Sequence, residues 1–128
     1  MALLAFEPES DIEQRILDVQ AQTYSADALM REMANHDLYV PSTGDVREDG
    51  SGFVPVLQDQ GGMKFVTVFT ALSRLPRGLA DYLLKAKAGV FFRRLPPGYG
   101  VIFNPGYDAQ LLLPPDGVAM LKRDLHKA

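Results

Sequence analysis

The chain has 128 residues, of which 47% are hydrophobic and 23% charged, and its formal net charge is -3. This balance is typical of a globular domain and excludes a disordered, highly charged chain. Cysteine is absent, which excludes disulfides, thiolate nucleophiles, iron-sulfur clusters and cysteine-rich zinc sites. We therefore expect one soluble domain over residues 1–128 that folds without a metal or a disulfide.

Charge is distributed unevenly along the chain. Eleven acidic and three basic residues lie between Glu7 and Asp49, whereas ten basic and five acidic residues follow from Gly50 onward. Six of these basic residues fall within segment 74–94. Two interpretations stay open: the acidic N-terminal helices cover this segment and neutralise it, or the segment is an exposed basic face for an acidic partner.

The N-terminal residues are apolar, but they are too few for a secretory signal and have no preceding positive charge. We expect residues 1–9 to form a terminal arm. No uncharged apolar stretch approaches the roughly 18 residues that a membrane-spanning helix needs.

Two amphipathic helices are predicted first in chain order. Ser10 and Glu13 form a capping box for a helix from Asp11 to Gln22, whose apolar spacing leaves Glu13 facing solvent. A second helix follows Ser25 and ends at Asn35 in a left-handed conformation.

A strand at Leu38–Pro41 and a β-hairpin are predicted next, separated by a mobile loop over residues 43–52. The hairpin strands are Phe53–Gln58 and Met63–Thr70, joined by a turn at Asp59–Gly62. The second hairpin strand is apolar almost throughout, which predicts that both of its faces are covered.

The remaining sequence predicts one helix, three short strands and a C-terminal helix. A stripe of apolar residues predicts a helix over 79–89, and Val90–Phe92 then resembles a strand. Strands at Val101–Phe103 and Leu111–Leu113 precede a helix that begins near Pro114. This order favours an α+β fold with a mixed, mainly antiparallel sheet and helices packed on it.

No residue pattern predicts catalysis. The adjacent His36 and Asp37 could form an acid-base pair, but His36 and His126 both occupy positions where helix C-terminal capping is the commoner role. No serine lies in a nucleophile elbow, and the glycine-rich turns lack the lysine and helix of a phosphate loop. We therefore expect no enzyme, no catalytic residue, no cofactor and no metal.

The residues favoured for binding combine aromatic rings with arginines, which are both enriched at protein interfaces. Phe91 and Phe92 would point to opposite faces of a strand, so at least one of them would meet a second covering layer or a partner. The predicted interaction surface consists of Phe92, Arg93, Arg94, Tyr99, Asn104, Tyr107 and Asp108.

Two functions stay open. The first is a non-enzymatic interaction or adaptor domain that binds another protein, or a second copy of itself as a homodimer, through a strand edge and this surface. The alternative is a domain that senses a small ligand, an amino acid or related metabolite, with Arg94, Asn104, Tyr107 and Asp108 as polar anchors in an apolar pocket. Neither nucleic acid nor a membrane is an expected partner.

Four ordered segments resemble a known family. They are Tyr39–Pro41, Val54–Leu57, Phe65–Thr70 and Gly100–Gly106, the last of which closes an apolar strand with Asn-Pro-Gly. Together they resemble the N-terminal domain of the SseB family of bacterial proteins, named for enhanced serine sensitivity, from about Ala26 to Leu125. The resemblance implies a small cytoplasmic α/β domain with no established catalytic residue or cofactor.

Overall fold

Helices and strands are interspersed along the part of the chain that the computed structural model describes, residues 7–107 and 110–127. The predicted terminal arm lies largely outside these residues, and so does Asp108. In chain order the elements are α1 (Asp11–Gln20), α2 (Ala26–Met33), β1 (Asp37–Ser42), β2 (Leu57–Gln60), β3 (Met63–Val68), a 3-10 turn (Leu72–Arg74), β4 (Tyr82–Lys87), α3 (Ala88–Arg94), β5 (Tyr99–Phe103), β6 (Leu111–Leu113) and α4 (Pro115–Lys127).

The strands form two connected sheets. Strands β2, β3, β5 and β6 lie in that order, with β3 and β5 parallel and the other pairs antiparallel, while β1 and β4 form an antiparallel pair. Reciprocal backbone hydrogen bonds of 2.9 Å between Tyr39 and Phe69 join β1 to the chain just beyond β3. The predicted α+β fold with a mixed, mainly antiparallel sheet is confirmed.

The predicted hairpin is present, but its first strand runs over Leu57–Gln60 and not over Phe53–Gln58, and its turn is tighter than expected. Gly61 and Gly62 join β2 to β3 and have φ angles of +58° and +81°. A two-residue turn with positive φ at both positions matches the right-handed twist of the flanking strands, and glycine adopts it without a Cβ clash. In β3 both Phe65 and Val66 are buried, so the expectation of cover on both faces also holds.

The predictions for residues 79–94 are wrong because helix and strand are exchanged. Tyr82–Lys87 is a strand and Ala88–Arg94 is a helix. The apolar spacing that indicated a helix also fits a strand with Leu84 and Ala86 turned toward the core. The segment forms a strand because all six of its residues pair with residues of β1. In α3 successive side chains are only about 100° apart, so Phe91 and Phe92 are both buried.

The end of α2 also differs from expectation. The helix ends at Met33, and its C-cap Ala34 has ordinary right-handed helical angles. Asn35 is not left-handed, whereas Asn104 is, with φ of +52° at the turn after β5. Gly89, expected to end a helix, is the second residue of α3, and its N–H donates to the Ala34 carbonyl at 2.9 Å. The start of α3 therefore approaches the end of α2 closely because the two positions in contact, Gly89 and Ala34, carry small residues.

The core lies between the helices and one face of the four-stranded sheet. Residues paired across β3 and β5 point to the same face, as in the pairs Val66–Val101 and Val68–Phe103. Helix α4 packs on β5 and α3. The buried core includes Ile16, Leu29, Met33, Leu38, Val40, Val68, Phe92, Val101, Phe103, Val118 and Leu121. Within the described residues, no helix is both long enough and apolar enough to span a bilayer.

Gly100 provides a test of this packing. A Cβ at Gly100 would lie 2.6 Å from ring atoms of Phe65 and 2.7 Å from the Leu113 carbonyl oxygen. We predict that Gly100→Ala lowers the free energy of unfolding by about 1–3 kcal/mol, because the sheet must shift to admit the methyl group. Urea denaturation followed by circular dichroism measures the loss.

Gly117→Ala is the matched control. The added methyl group would meet the flexible end of the Leu113 side chain, and alanine favours the helical conformation of α4 by up to about 1 kcal/mol. We expect this variant to be no less stable than the wild type. Equal destabilisation by both substitutions would contradict the packing described for Gly100.

Candidate functional site

An apolar cavity of about 390 Å³ lies between α3 and the sheet. Strand β4 lines one side, the start of β5 another, and the segment before β2 a third. Its volume lies within the range typical of small-molecule pockets. The main apolar wall consists of Phe53, Val66, Leu84, Ala86, Phe91 and Leu95.

Two opposite charges line this cavity. Arg94, in the last turn of α3, is exposed and makes no hydrogen bond or ion pair with any residue in the described ranges. A Cβ on Gly50 would lie 3.5 Å from Arg94 Nη1, so the guanidinium lies over this glycine. The other charge is Asp49, which is also exposed and forms no ion pair with Arg94.

A tight turn fixes Asp49. Its Oδ1 accepts a hydrogen bond from the Ser51 N–H at 2.9 Å. Hydrogen bonds from the backbone and side chain of Ser51 lower the pKa of Asp49 despite a small opposing effect of desolvation. The carboxylate is therefore ionised at neutral pH, and Gly50 follows it with φ of +86°. The predicted loop over 43–52 thus supplies part of the cavity, and its mobility stays a prediction.

The structure separates the residues that the sequence grouped as one surface. Phe92 is fully buried, and the centroid of its ring lies 5.6 Å from that of Phe91 and 6.3 Å from that of Phe103. It is a core residue and cannot belong to an exposed surface, and Asn104 is equally buried. The expectation that Phe91 or Phe92 must meet another layer or a partner assumed that both lie on a strand. They lie on a helix, where both are buried, so this expectation is wrong.

Arg94 and Tyr99 are the predicted residues that lie at the cavity. Arg93 is exposed on α3 but does not line the cavity. Tyr107 lies elsewhere, where its hydroxyl donates to the Arg74 carbonyl at 2.9 Å. Asp49 and Gly50 were missed because nothing in the local sequence indicates that their loop meets α3.

A second polar cluster is buried and centred on Glu13. The Arg74 guanidinium donates to both Glu13 carboxylate oxygens, at 2.8 Å from Nη2 and 3.2 Å from Nε. Glu13 is fully buried, and Arg74 is 7% exposed. The prediction that Glu13 faces solvent is therefore wrong. The capping contact is nonetheless present, since Ser10 Oγ accepts from the Glu13 N–H at 3.3 Å.

Thr70 and Asn104 complete this cluster. The Thr70 hydroxyl donates to Glu13 Oε2 at 2.5 Å, and Asn104 Nδ2 donates to that hydroxyl at 3.0 Å. Asn104 Oδ1 accepts the Thr70 N–H at 3.1 Å. Among the described residues, no buried side-chain nitrogen or oxygen lacks a hydrogen-bond partner. Asn104 is thus a structural residue of the interior.

The pKa of Glu13 shows how this cluster is balanced. Burial alone raises the pKa of this carboxyl, but hydrogen bonds from Arg74, Thr70 and the Glu9 backbone, with the Arg74 charge, lower it overall. The carboxylate is therefore the stable form at neutral pH. We considered above that the acidic N-terminal helices neutralise the basic segment 74–94. This is the case for Arg74, which pairs with Glu13 of α1. Lys85 and Lys87 are instead highly exposed and lie 3.8 and 3.2 Å from the Asp37 carboxylate.

The possible acid-base pair of His36 and Asp37 does not form. His36 Nε2 lies 3.3 Å from the Thr70 carbonyl oxygen, while the Asp37 carboxylate faces the two lysines. The His36 N–H donates to the Met33 carbonyl at 2.8 Å, in the position of a helix C-terminus. No group of three or more histidine, aspartate or glutamate side chains in the described ranges could hold a metal ion.

Comparison of the sequence with models of protein families identifies the family of this chain. The model of the SseB protein N-terminal domain matches residues 13–120. The chain belongs to this family. No curated protein and no solved structure gives a significant match.

The part of this SseB domain that matches the family includes both the buried cluster around Glu13 and the apolar cavity. It begins at Glu13 and contains Arg74, the walls of the cavity and Arg94. Two residues of the buried cluster, Thr70 and Asn104, follow the carboxyl ends of the parallel strands β3 and β5, while Tyr99 at the amino end of β5 lines the cavity. The domain thus has a structural site and a solvent-accessible cavity that share no residue.

We predict that Glu13→Gln destabilises the domain by about 3 kcal/mol, because it leaves the buried Arg74 charge with only the half-exposed Glu9 carboxylate, 3.5 Å away, as a counter-ion. Chemical denaturation at neutral pH measures the loss. The double variant Glu13→Gln, Arg74→Met should lose less than the sum of the two single variants, since it removes both charges. Additive losses would show that the two side chains do not act as a pair.

Acid should weaken the same pair. Because folding lowers the pKa of Glu13, the stability that this shift contributes is present above the ordinary value of 4.5 and is lost as the pH falls through the folded value. Between about pH 6 and about pH 3, wild type should lose more stability than Glu13→Gln. The surface variant Glu32→Gln is the control and should follow wild type. Equal acid sensitivity of wild type and Glu13→Gln would contradict the assignment.

Proposed function

We propose that this SseB domain is a non-enzymatic binding domain that holds a small ligand in the cavity between α3 and the sheet. The observation that carries the proposal is an apolar cavity of about 390 Å³ with an arginine at its edge that pairs with no described residue. Few polar groups around an apolar cavity are the usual form of a ligand site, in which burial supplies affinity and charge supplies orientation.

The position of the predicted anchors also supports this choice. Of the four residues expected to anchor a ligand, Arg94 lines the cavity, Asn104 belongs to the buried cluster, and the Tyr107 hydroxyl donates to the Arg74 carbonyl. The fourth, Asp108, lies outside the described residues. A ligand therefore has to be oriented by Arg94 and by the loop residues beside it.

The chemistry of the cavity supports a binding role rather than catalysis. Asp49, Arg94 and Tyr99 are the residues with ionisable side chains among those that line it. The lowered pKa of Asp49 makes it a weak base. Arg94 stays protonated at physiological pH and cannot act as a base there.

We predict that Val90→Trp blocks ligand binding. Val90 lies on α3 at the cavity and is 38% exposed, so an indole there can occupy the opening without disturbing the core. In a thermal-shift screen of metabolites, a compound at about 100 times its Kd should add about 2.7 kcal/mol to wild type. The same compound should stabilise Val90→Trp far less.

Met120→Trp is the control for this screen, because Met120 is 56% exposed on α4 and does not line the cavity. It should respond to ligands as wild type does. The proposal would be overturned if every compound that stabilises wild type stabilised Val90→Trp equally, or if no compound stabilised wild type.

A second candidate function is protein binding along the free edge of β4. Tyr39 directs its backbone N–H and carbonyl toward Phe69, and Lys85 is its register partner in β4. Opposite residues in an antiparallel pair exchange both hydrogen bonds or neither, so the Lys85 backbone groups point away from β1. No other strand in the described ranges pairs with this edge. It could accept a strand from another protein or from a second copy of the chain.

Sedimentation velocity tests the homodimer form of this candidate. Lys85→Pro removes the outward N–H, whereas Lys85→Gln changes the side chain and keeps the N–H. Dimers in wild type and Lys85→Gln, but not in Lys85→Pro, would support strand pairing. A wild type that remains monomeric at every concentration would contradict self-association.

A further inference from the structure

We propose that the ligand of the cavity is a free α-amino acid with an apolar side chain. The inference rests on the proposed function and extends it from a site to a class of ligand. Three features of the cavity correspond to the three parts of such a molecule: an available guanidinium, a fixed carboxylate and an apolar interior.

The guanidinium of Arg94 is suited to the ligand's carboxylate. It presents a planar set of donors that can engage both oxygens of a carboxylate. Arg74 already uses its donors within the buried cluster, whereas Arg94 has no hydrogen-bond or ion-pair partner in the described part of the chain. Gly50 beside it carries no side chain that would cover this group.

The carboxylate of Asp49 is suited to the ligand's ammonium group. The Ser51 N–H donates to Asp49 Oδ1 at 2.9 Å, and the Ser51 side chain also hydrogen-bonds to this carboxylate, so its orientation is fixed while it stays exposed at the cavity. Asp49 and Arg94 line the same cavity without pairing with each other. A zwitterion would satisfy both charges, whereas a simple carboxylic acid would leave Asp49 unpaired and close to a like charge.

The interior of the cavity determines the side chain of the amino acid. The walls contributed by Phe53, Leu84 and Phe91 offer no charged partner. A polar side chain buried there would lose its hydration without compensation, whereas an aliphatic or aromatic one gains by leaving water. The interior therefore favours ligands such as leucine or phenylalanine over serine.

The experiment follows the methyl and amide NMR signals of the intact domain during titration with matched probes. L-phenylalanine carries all three parts, 3-phenylpropionate lacks the ammonium, phenethylamine lacks the carboxylate, and L-serine lacks the apolar body. Toluene is a neutral probe that tests whether the cavity is accessible at all. We expect L-phenylalanine to shift signals of Val66, Leu84 and Phe91, and each of the three incomplete probes to bind at least tenfold more weakly.

Two substitutions assign the charges. Arg94→Gln should weaken L-phenylalanine binding about tenfold or more, because charge-assisted hydrogen bonds are lost. Asp49→Asn keeps an acceptor for the Ser51 N–H and removes only the charge, and it should have a similar effect. Arg93→Gln is the matched control, since it removes a neighbouring charge on the same helix away from the cavity. It should bind as wild type does.

The outcomes separate the ligand class from the proposed function. If 3-phenylpropionate binds as tightly as L-phenylalanine, or if Arg94→Gln and Arg93→Gln behave alike, the assignment of an amino acid is overturned. If toluene shifts the cavity signals and L-phenylalanine does not, the ligand class is wrong while the cavity remains a binding site. If none of the probes shifts these signals, the proposed function fails together with this inference.

Discussion

The pairing of Glu13 with Arg74 inside the protein is the interaction on which the rest of the structure depends. A buried charge is costly unless it is paired and hydrogen-bonded, so the position of Arg74 determines where α1 must lie. The carboxylate of Glu13 also receives the Thr70 hydroxyl, and Asn104 supports Thr70 in turn. One acidic side chain therefore aligns a helix with the ends of two parallel strands.

The buried ion pair and the proposed binding cavity lie in different parts of the fold. The buried cluster occupies the carboxyl ends of β3 and β5, and the cavity uses the amino end of β5 together with α3 and the loop before β2. The two sites share no residue, although walls of the cavity such as Val66 and Phe91 also belong to the hydrophobic core. Arg94 and Asp49 place exposed, opposite charges at the cavity without pairing with each other, which supports the proposed role in binding.

Local sequence rules predict those elements whose signals are local. The capping box at Ser10 and the glycine pair at residues 61 and 62 fix a helix start and a hairpin turn through contacts a few residues apart. The exchange of helix and strand over 79–94 has a long-range cause, since β4 exists by pairing with β1 more than forty residues earlier. Glu13 was misplaced for the same reason, because its partner Arg74 is 61 residues away.

The candidate site was predictable only in part. Arg94 and Tyr99 were found because aromatic and arginine residues are enriched in binding surfaces. Phe92 was misassigned because alternation on a strand was assumed where a helix forms, and Asn104 because a buried amide and an exposed one look alike in sequence. Asp49 gave no signal, since its place at the cavity results from tertiary packing.

A crystal structure of the domain grown with L-phenylalanine would test the account most directly. We predict density for the phenyl ring between α3 and β4, with the carboxylate on Arg94, the ammonium on Asp49 and the Glu13–Arg74 pair unchanged. A cavity without the amino acid at a saturating concentration, or the amino acid bound elsewhere on the domain, would contradict it.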